Sequence, residues 1–270
     1  MNSIKFCKFH GFGNDYIVFE AEDLMRISSV EKFAEKVCHR NTGIGGDGIA
    51  VLETSEIEAD YFCRIINPDG SEAGFSGNGT RCAVAYLYYK NLWTAENLKL
   101  QTGSGIKNYQ LLGQGKNTFW FRAELGKPKR ITNYELRITN YEENLAVISL
   151  NVGNPVAVIF TEDFDALDWR SVGKEIEIHK QFPDRTNVVF VKTIDRETIE
   201  IRIWERGAGE TSSSGTCSIA AAVASVSIGK TERKISVHAE GGMTEAVWRE
   251  DGEMLITGRA DLVFCGEWFG

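Results

Sequence analysis

Asn67-Pro68-Asp69-Gly70-Ser71-Glu72-Ala73-Gly74-Phe75-Ser76-Gly77-Asn78-Gly79-Thr80-Arg81-Cys82 lies between the apolar run Cys63-Arg64-Ile65-Ile66 and the segment Ala83-Val84-Ala85-Tyr86-Leu87-Tyr88-Tyr89. The pattern predicts a strand, a Gly-rich loop and then a helix. At such a junction backbone N–H groups and the positive end of the helix dipole face whatever sits in front of them. It suits an anion, for example a substrate carboxylate.

The stretch occurs twice. A constant offset of 138 residues carries Arg64-Ile65-Ile66 onto Arg202-Ile203-Trp204, Glu72 onto Glu210 and Ser76 onto Ser214. It also carries Gly77 onto Gly215, Asn78 onto Thr216 and Ala83 onto Ala221. Asn14 and Asn154 repeat at nearly the same spacing, 140 residues. Each copy leads into a small-residue apolar helix, the second running Ile219-Ala220-Ala221-Ala222-Val223-Ala224. The repeat predicts two similar halves with pseudo-two-fold symmetry and two Gly-rich helix entrances facing each other across a cleft. Such a cleft suits a two-sided reaction, one group removing a proton from a carbon while the other delivers one to the opposite face. Helix N-termini on the carboxylate would stabilise the carbanion-like transition state.

Working outward, Ile4 to Phe9 alternates as a strand, His10-Gly11-Phe12-Gly13-Asn14-Asp15 makes a turn, and Tyr16 to Glu20 a second strand. A helix is expected over about Val30 to His39, and Thr42-Gly43-Ile44-Gly45-Gly46-Asp47-Gly48 is a further Gly-rich loop. Arg130-Ile131-Thr132-Asn133-Tyr134-Glu135 is repeated at once as Arg137-Ile138-Thr139-Asn140-Tyr141-Glu142, which reads as an insertion in an exposed connection. It marks the boundary between a first domain over 1–125 and a second over 126–260, with a C-terminal strand over about 261–270 returning to the first.

An apolar fraction of 43% and a charged fraction of 25% describe a globular chain with a real core. The net charge of −8 argues against nucleic acid as a partner. No leader pattern or membrane-length apolar run is present, so a cytoplasmic location without membrane association is expected. The six cysteines are scattered and read as buried free thiols rather than a disulfide framework, and with four distant histidines no metal site is expected.

The motifs His10 to Asp15, Thr42 to Gly48, Asn67 to Glu72, Gly77 to Cys82, Gly153-Asn154-Pro155, Phe182-Pro183 with Asn187, and Glu205-Arg206-Gly207-Ala208-Gly209-Glu210-Thr211 follow one another in this order. In them the chain resembles the diaminopimelate epimerase family, the cofactor-independent amino-acid epimerases, over nearly its full length. The resemblance implies an α+β fold of two pseudo-symmetric domains, each a mixed sheet wrapped around a central helix, with the active site in the cleft between them. It implies interconversion of LL- and meso-diaminopimelate, a precursor step for lysine and peptidoglycan, without a cofactor, and a homodimer. Asn14, Asn67, Asn78, Asn154 and Asn187 would line the substrate pocket. Glu205 and Arg206 would meet the distal groups, and Gly77, Asn78, Gly215 and Thr216 would give backbone donors to the reacting carboxylate.

One departure sits at the centre. The family's acid/base pair is two cysteines, and Ser76 and Ser214 occupy those positions here. The family's Gly-Asn-Pro-His ends as Gly153-Asn154-Pro155-Val156. A thiol can be brought to thiolate near neutral pH, whereas an alcohol stays protonated and needs a separate base. Glu205 is the carboxylate expected near the site; Glu72 and Glu210 are expected to brace the loops. Alternatives of another class are an amino-acid-binding paralogue without turnover, or a different proton-transfer isomerase using a carboxylate base.

Overall fold

A computed structural model describes residues 3–139 and 144–269, so Asn140, Tyr141 and Glu142 of the duplicated hexapeptide, Met1 and Asn2 of the N-terminus, and Gly270 lie outside the described residues. The chain forms two compact units: Met1–Ala123 together with Gly258–Gly270, and Glu124–Thr257.

The first unit contains β1 (Ile4–Gly11), β2 (Asn14–Glu20), α1 (Val30–Cys38), β3 (Gly48–Thr54), β4 (Tyr61–Ile66), the short β5 (Glu72–Ala73), α2 (Gly77–Tyr89), β6 (Asn97–Thr102), β7 (Gly105–Gln114) and β8 (Thr118–Glu124). The second contains β9 (Lys129–Leu136), β10 (Leu145–Asn151), β11 (Pro155–Phe160), α3 (Trp169–Glu177), β12 (Asn187–Thr193), β13 (Thr198–Glu205), β14 (Gly209–Thr211), α4 (Gly215–Ser227), β15 (Lys234–Ala239) and β16 (Gly242–Trp248). The last strand, β17 (Met254–Trp268), begins in the second unit and ends in the first.

Strand pairing is the same in both units. β1 and β2 form an antiparallel hairpin, β2 runs parallel to β3, β3 antiparallel to β4, β4 antiparallel to β5 and parallel to β6, and β6 antiparallel to β7. The series β10, β11, β12, β13, β14, β15, β16 repeats every step with the same sense. The fold is therefore α+β, a mixed sheet wrapped around a helix, built twice.

Two kinds of helix follow from two kinds of sequence. In α1 the buried residues are Phe33, Ala34, Val37 and Cys38, one face of a capped amphipathic helix whose Ser29 side chain accepts from the Lys32 N–H. In α3 the buried set Trp169, Val172, Gly173, Ile176 and Glu177 makes the same kind of stripe. α2 and α4 instead are buried around nearly their whole circumference, from Gly77 to Tyr88 and from Gly215 to Ser225. Ala83 and Ala85, and Ala220, Ala221, Ala222 and Ala224, let the sheet strands close on these helices from several sides. Each fully buried Val, Leu or Ile, such as Val84, Leu87 and Val223, contributes about 1.5–3 kcal/mol.

Three expectations need correction. First, the Gly-rich run after Ser76 is not a loop: helix α2 starts at Gly77, and Gly77-Asn78-Gly79-Thr80 are its first turn. Low helix propensity is overridden there by the Ser76 cap and by burial. Second, Cys7 and Cys265 are not free thiols. The antiparallel register of β1 on β17 sets them opposite each other, Cα atoms 4.0 Å apart, in a disulfide that a separation of 258 residues conceals in the sequence. Cys38, Cys63, Cys82 and Cys217 are free and buried. Third, the first copy of the hexapeptide is not an irregular connection: although mostly exposed it forms strand β9, paired with β10, and Leu136 and Ile138 just beyond it pack into the core of the second unit with Phe164, Trp169 and Phe190.

Candidate active site

Both serines stand at the N-cap of a buried helix. Ser76 precedes α2 with φ −133° and ψ 122°, and Ser214 precedes α4 with φ −148° and ψ 121°. The Ser76 Oγ accepts from the Gly79 N–H at 3.1 Å, and the Ser214 Oγ accepts from the Cys217 N–H at 3.4 Å. Helix geometry aims the N–H groups of Gly77 and Asn78, and of Gly215 and Thr216, along the axis rather than into the ladder. That direction is the one an anion in front of the helix would use.

The second hydrogen bond of each serine differs. The Ser214 hydroxyl donates to Glu205 Oε1 at 2.6 Å, and Thr216 Oγ1 lies 3.2 Å from it. The Ser76 Oγ lies 2.9 Å from the Tyr16 hydroxyl. Cys217 offers no substitute for Ser214: burial above all, then the Glu205 charge, pushes its thiol well up, and it lies inside the helix.

In the first unit a chain of polar side chains backs the Ser76 loop. Arg81 Nη2 donates to Asn78 Oδ1 at 3.0 Å, Asn78 Nδ2 to Asn14 Oδ1 at 3.2 Å, and Asn14 Nδ2 to Asp47 Oδ2 at 2.8 Å. Asp47 is held in turn by Arg40 at 2.7 Å. Asp15 and Asp47 exchange backbone and carboxylate hydrogen bonds of 3.1 Å, and Lys8 and Arg40 flank Asp15 at 2.7 and 2.9 Å. Burial pushes the Asp15 carboxyl up, but the hydrogen bonds and charges of Arg40 and Lys8 outweigh it and hold it below the usual value. Burial and the Asp15 charge push Asp47 up. Arg81 is fully buried, with the Phe12 ring 5.8 Å from its guanidinium carbon. A buried cation is tolerated only when its donors are used, and those of Arg81 reach Asn78 Oδ1 and the Gly77 and Arg259 carbonyls.

In the second unit the Glu205-Arg206-Gly207 turn is fixed from below. Glu177, buried at the end of α3, accepts from Trp204 Nε1 and from the Gly207 N–H, both at 2.8 Å, and from Arg185. Asn187 Oδ1 accepts from the Arg206 N–H at 2.8 Å, and Arg206 Nη1 donates to the Asp184 carbonyl at 3.0 Å.

The predicted residues thus fall into groups. Ser76, Gly77, Asn78 and Asn14 are adjacent, as are Ser214, Gly215, Thr216 and Glu205, and Asn187 touches Arg206. Asn67 is half-buried with its amide donating to Ser71 Oγ at 3.0 Å, and Asn154 sits in the β10–β11 turn, its carbonyl accepting from the Val152 N–H. Sequence reading missed Tyr16, Asp47, Arg81 and Glu177. Asp47 and Arg81 were visible as members of quoted motifs, and Glu177 as a carboxylate falling on the apolar stripe of α3. Tyr16 gave no signal, being one aromatic in a buried strand.

The sequence model described as diaminopimelate epimerase matches residues 6–131 and 148–263. A diaminopimelate epimerase of Bacteroides thetaiotaomicron is 38% identical over 270 residues, covering 99% of this chain and 98% of that protein. One from Pelotomaculum thermopropionicum is 36% identical over 277 residues, covering 97% and 98%. Among solved structures, a hydroxyproline epimerase from Agrobacterium vitis with bound trans-4-OH-L-proline superposes with a TM-score of 0.75 at 13% identity, covering 99% of this chain and 91% of that one. A predicted epimerase from Pseudomonas aeruginosa gives 0.73 at 15% identity, covering 98% and 99%. The structural likenesses carry the fold, and the match over nearly the whole length carries more: the chain belongs to the diaminopimelate epimerase family.

Proposed function

We propose that this chain epimerises diaminopimelate, interconverting the LL and meso forms by proton transfer at one α-carbon without a cofactor, each Ser-capped helix serving one of the two protons. The observation that carries this reading is the 2.6 Å hydrogen bond from the Ser214 hydroxyl to Glu205. An alcohol alone is too weak an acid to serve as the base, but with a carboxylate behind it the proton has somewhere to go. The α C–H bond breaks as a Ser214 O–H bond forms, and the original Ser214 proton passes to Glu205. Charge developing on the substrate carboxylate is met by the N–H groups at the helix entrances. Asn14, Asn67, Asn78, Asn154, Asn187 and Arg206 are the proposed substrate contacts, suited by their donors to a small zwitterion. The same reading carries a cytoplasmic biosynthetic enzyme and a homodimer, the latter checked by light scattering.

The test follows α-proton exchange and inversion in D₂O for LL- and meso-diaminopimelate, with wild type beside Glu205→Gln. Exchange with inversion in wild type, lost in the variant, supports the proposal. Saturable binding without exchange makes the chain an amino-acid-binding relative instead. If neither isomer binds, diaminopimelate is the wrong substrate.

A further inference from the structure

Ser76 lacks what Ser214 has. The residue that the 138-residue offset places at the position of Glu205 is Asn67, which cannot take a proton and whose amide is directed at Ser71. One lone pair of the Ser76 oxygen is used by the Gly79 N–H. Among the described residues its remaining contact with a titratable group is the Tyr16 hydroxyl at 2.9 Å.

Tyr16 is placed there by the fold. It enters β2 opposite Phe9 of β1 and Gly48 of β3, with only 6% of its surface exposed. A Cβ on Gly48 or on Gly79 would come within 2.8 Å of its ring carbon Cε1. Two glycines therefore open the slot that lets the phenol reach Ser76, and one of them is the same Gly79 whose N–H donates to the Ser76 Oγ. The repeat has no second copy of the device: the residue 140 positions on is Val156, buried and apolar.

We propose that Tyr16 is the proton partner of Ser76, a positioning residue that replenishes the serine hydroxyl on its side of the reaction as Glu205 drains that of Ser214. This rests on the epimerase reading above. In the forward direction the Ser76 O–H bond breaks as the new α C–H bond forms, and the Tyr16 proton moves to the Ser76 oxygen. The phenolate left behind regains its proton from water. In reverse Tyr16 first gives its proton to water, and as Ser76 takes the α-proton its own hydroxyl proton passes to the phenolate. A phenol is the better acid of the two hydroxyls, so the serine alone is the poorer donor.

Tyr16→Phe keeps the ring and its slot and removes only the hydroxyl. Expected is a fall in kcat of about 10²-fold, within the range of lost general acid–base help, with KM unchanged within about twofold. The sharper readout is the partition in D₂O. From the isomer whose α-proton faces Ser214, the variant still exchanges through Glu205 but returns deuterium to the same face, so exchange persists while inversion falls. From the other isomer both fall together. Tyr16→Phe with unchanged kcat and partition, or with exchange and inversion lost equally from both isomers, overturns the role of Tyr16 and leaves the epimerase reading standing. Wild type that exchanges neither isomer removes both.

Discussion

The Ser76 and Ser214 loops are copies in backbone and strangers in side-chain chemistry. Each follows an antiparallel strand pair, each serine caps a buried helix through its Oγ, and each helix is small-residue rich. Behind Ser214 stands Glu205, with Val156 at the position matching Tyr16; behind Ser76 stands Tyr16, with Asn67 matching Glu205. One loop has a carboxylate acceptor and the other a phenol. The cap geometry is what the repeat conserves, because it is set by backbone N–H groups that any N-cap serine satisfies. The hydrogen-bond partner of each serine is a single side chain, and there the two copies differ. An internally repeated scaffold thus does not imply that its two serines have equivalent partners.

The largest effect that can break this contrast comes from Glu205→Gln. With the Ser214 hydroxyl left without a charged acceptor, kcat should fall by about 10²–10⁴-fold while the fold, judged by circular dichroism, is kept. Stopped-flow or coupled assays of both isomers would show it. A fall below tenfold would mean that Ser214 does not depend on Glu205, and the two loops would not be chemically distinct.

The next tests the serines themselves. Ser214→Cys keeps the cap and places a more acidic group, near ~8.5 for a free thiol, beside the same carboxylate, so kcat should rise about tenfold. An unchanged or lower rate would show that the oxygen is tuned to Glu205 and the position is not limited by acidity.

How far these loops could be read from the sequence depends on what kind of residue carried the information. The pairing scheme was legible because Arg64-Ile65-Ile66 and Arg202-Ile203-Trp204, with their following Gly-rich runs, repeat in register. Ser76 and Ser214 were legible as the serines ending those runs, and Glu205 as the carboxylate of a quoted motif. The Gly77 to Thr80 turn reads as loop in sequence because glycine disfavours helix locally, while burial and the cap make it the first turn of α2. The Cys7–Cys265 link and the Tyr16–Ser76 contact depend on strand register between distant segments, which no local pattern encodes. Glu177 supports the Glu205 turn from 28 residues upstream and showed itself only as a charge on an apolar stripe.

A medium effect is expected behind the first loop alone. Asp47→Ala removes the acceptor of Asn14 Nδ2 and loosens the line from Asn14 through Asn78 to Arg81. If Asn14 and Asn78 hold substrate, KM should rise about tenfold with kcat little changed, one hydrogen bond of about 1–1.5 kcal/mol being lost from binding. Equal loss in kcat and kcat/KM would instead place the network in the transition state.

Stability should respond to pH through the same network. The Asp15 carboxyl is held below its usual value in the folded chain, so its contribution is fully present above the unfolded value near ~3.9 and is lost as pH falls through the folded value. Lys8→Met removes one of the groups holding it down. The variant should lose about 1.5–3 kcal/mol near neutral pH and begin its acid unfolding at higher pH, seen as Tm measured between about pH 3 and 7. Parallel curves for wild type and variant would show that Arg40 alone sets the Asp15 charge.

The smallest effects belong to residues that repeat in register without touching the serines. Glu72 pairs with Arg64 at 2.8 Å, and Glu210, its counterpart, with Arg170 at 2.6 Å in a two-pronged contact. All four side chains are partly or largely exposed, so solvent screens both pairs. Arg170 comes from α3 in the second unit, whereas Arg64 is on β4, next to β5, so even the bracing is built from different elements. Glu72→Ala and Glu210→Ala should each leave kcat within about twofold. A tenfold loss in Glu210→Ala alone would show that the β14 segment holds Ser214 against Glu205, and that the carboxylate-bearing loop depends on its brace where the phenol-bearing loop does not.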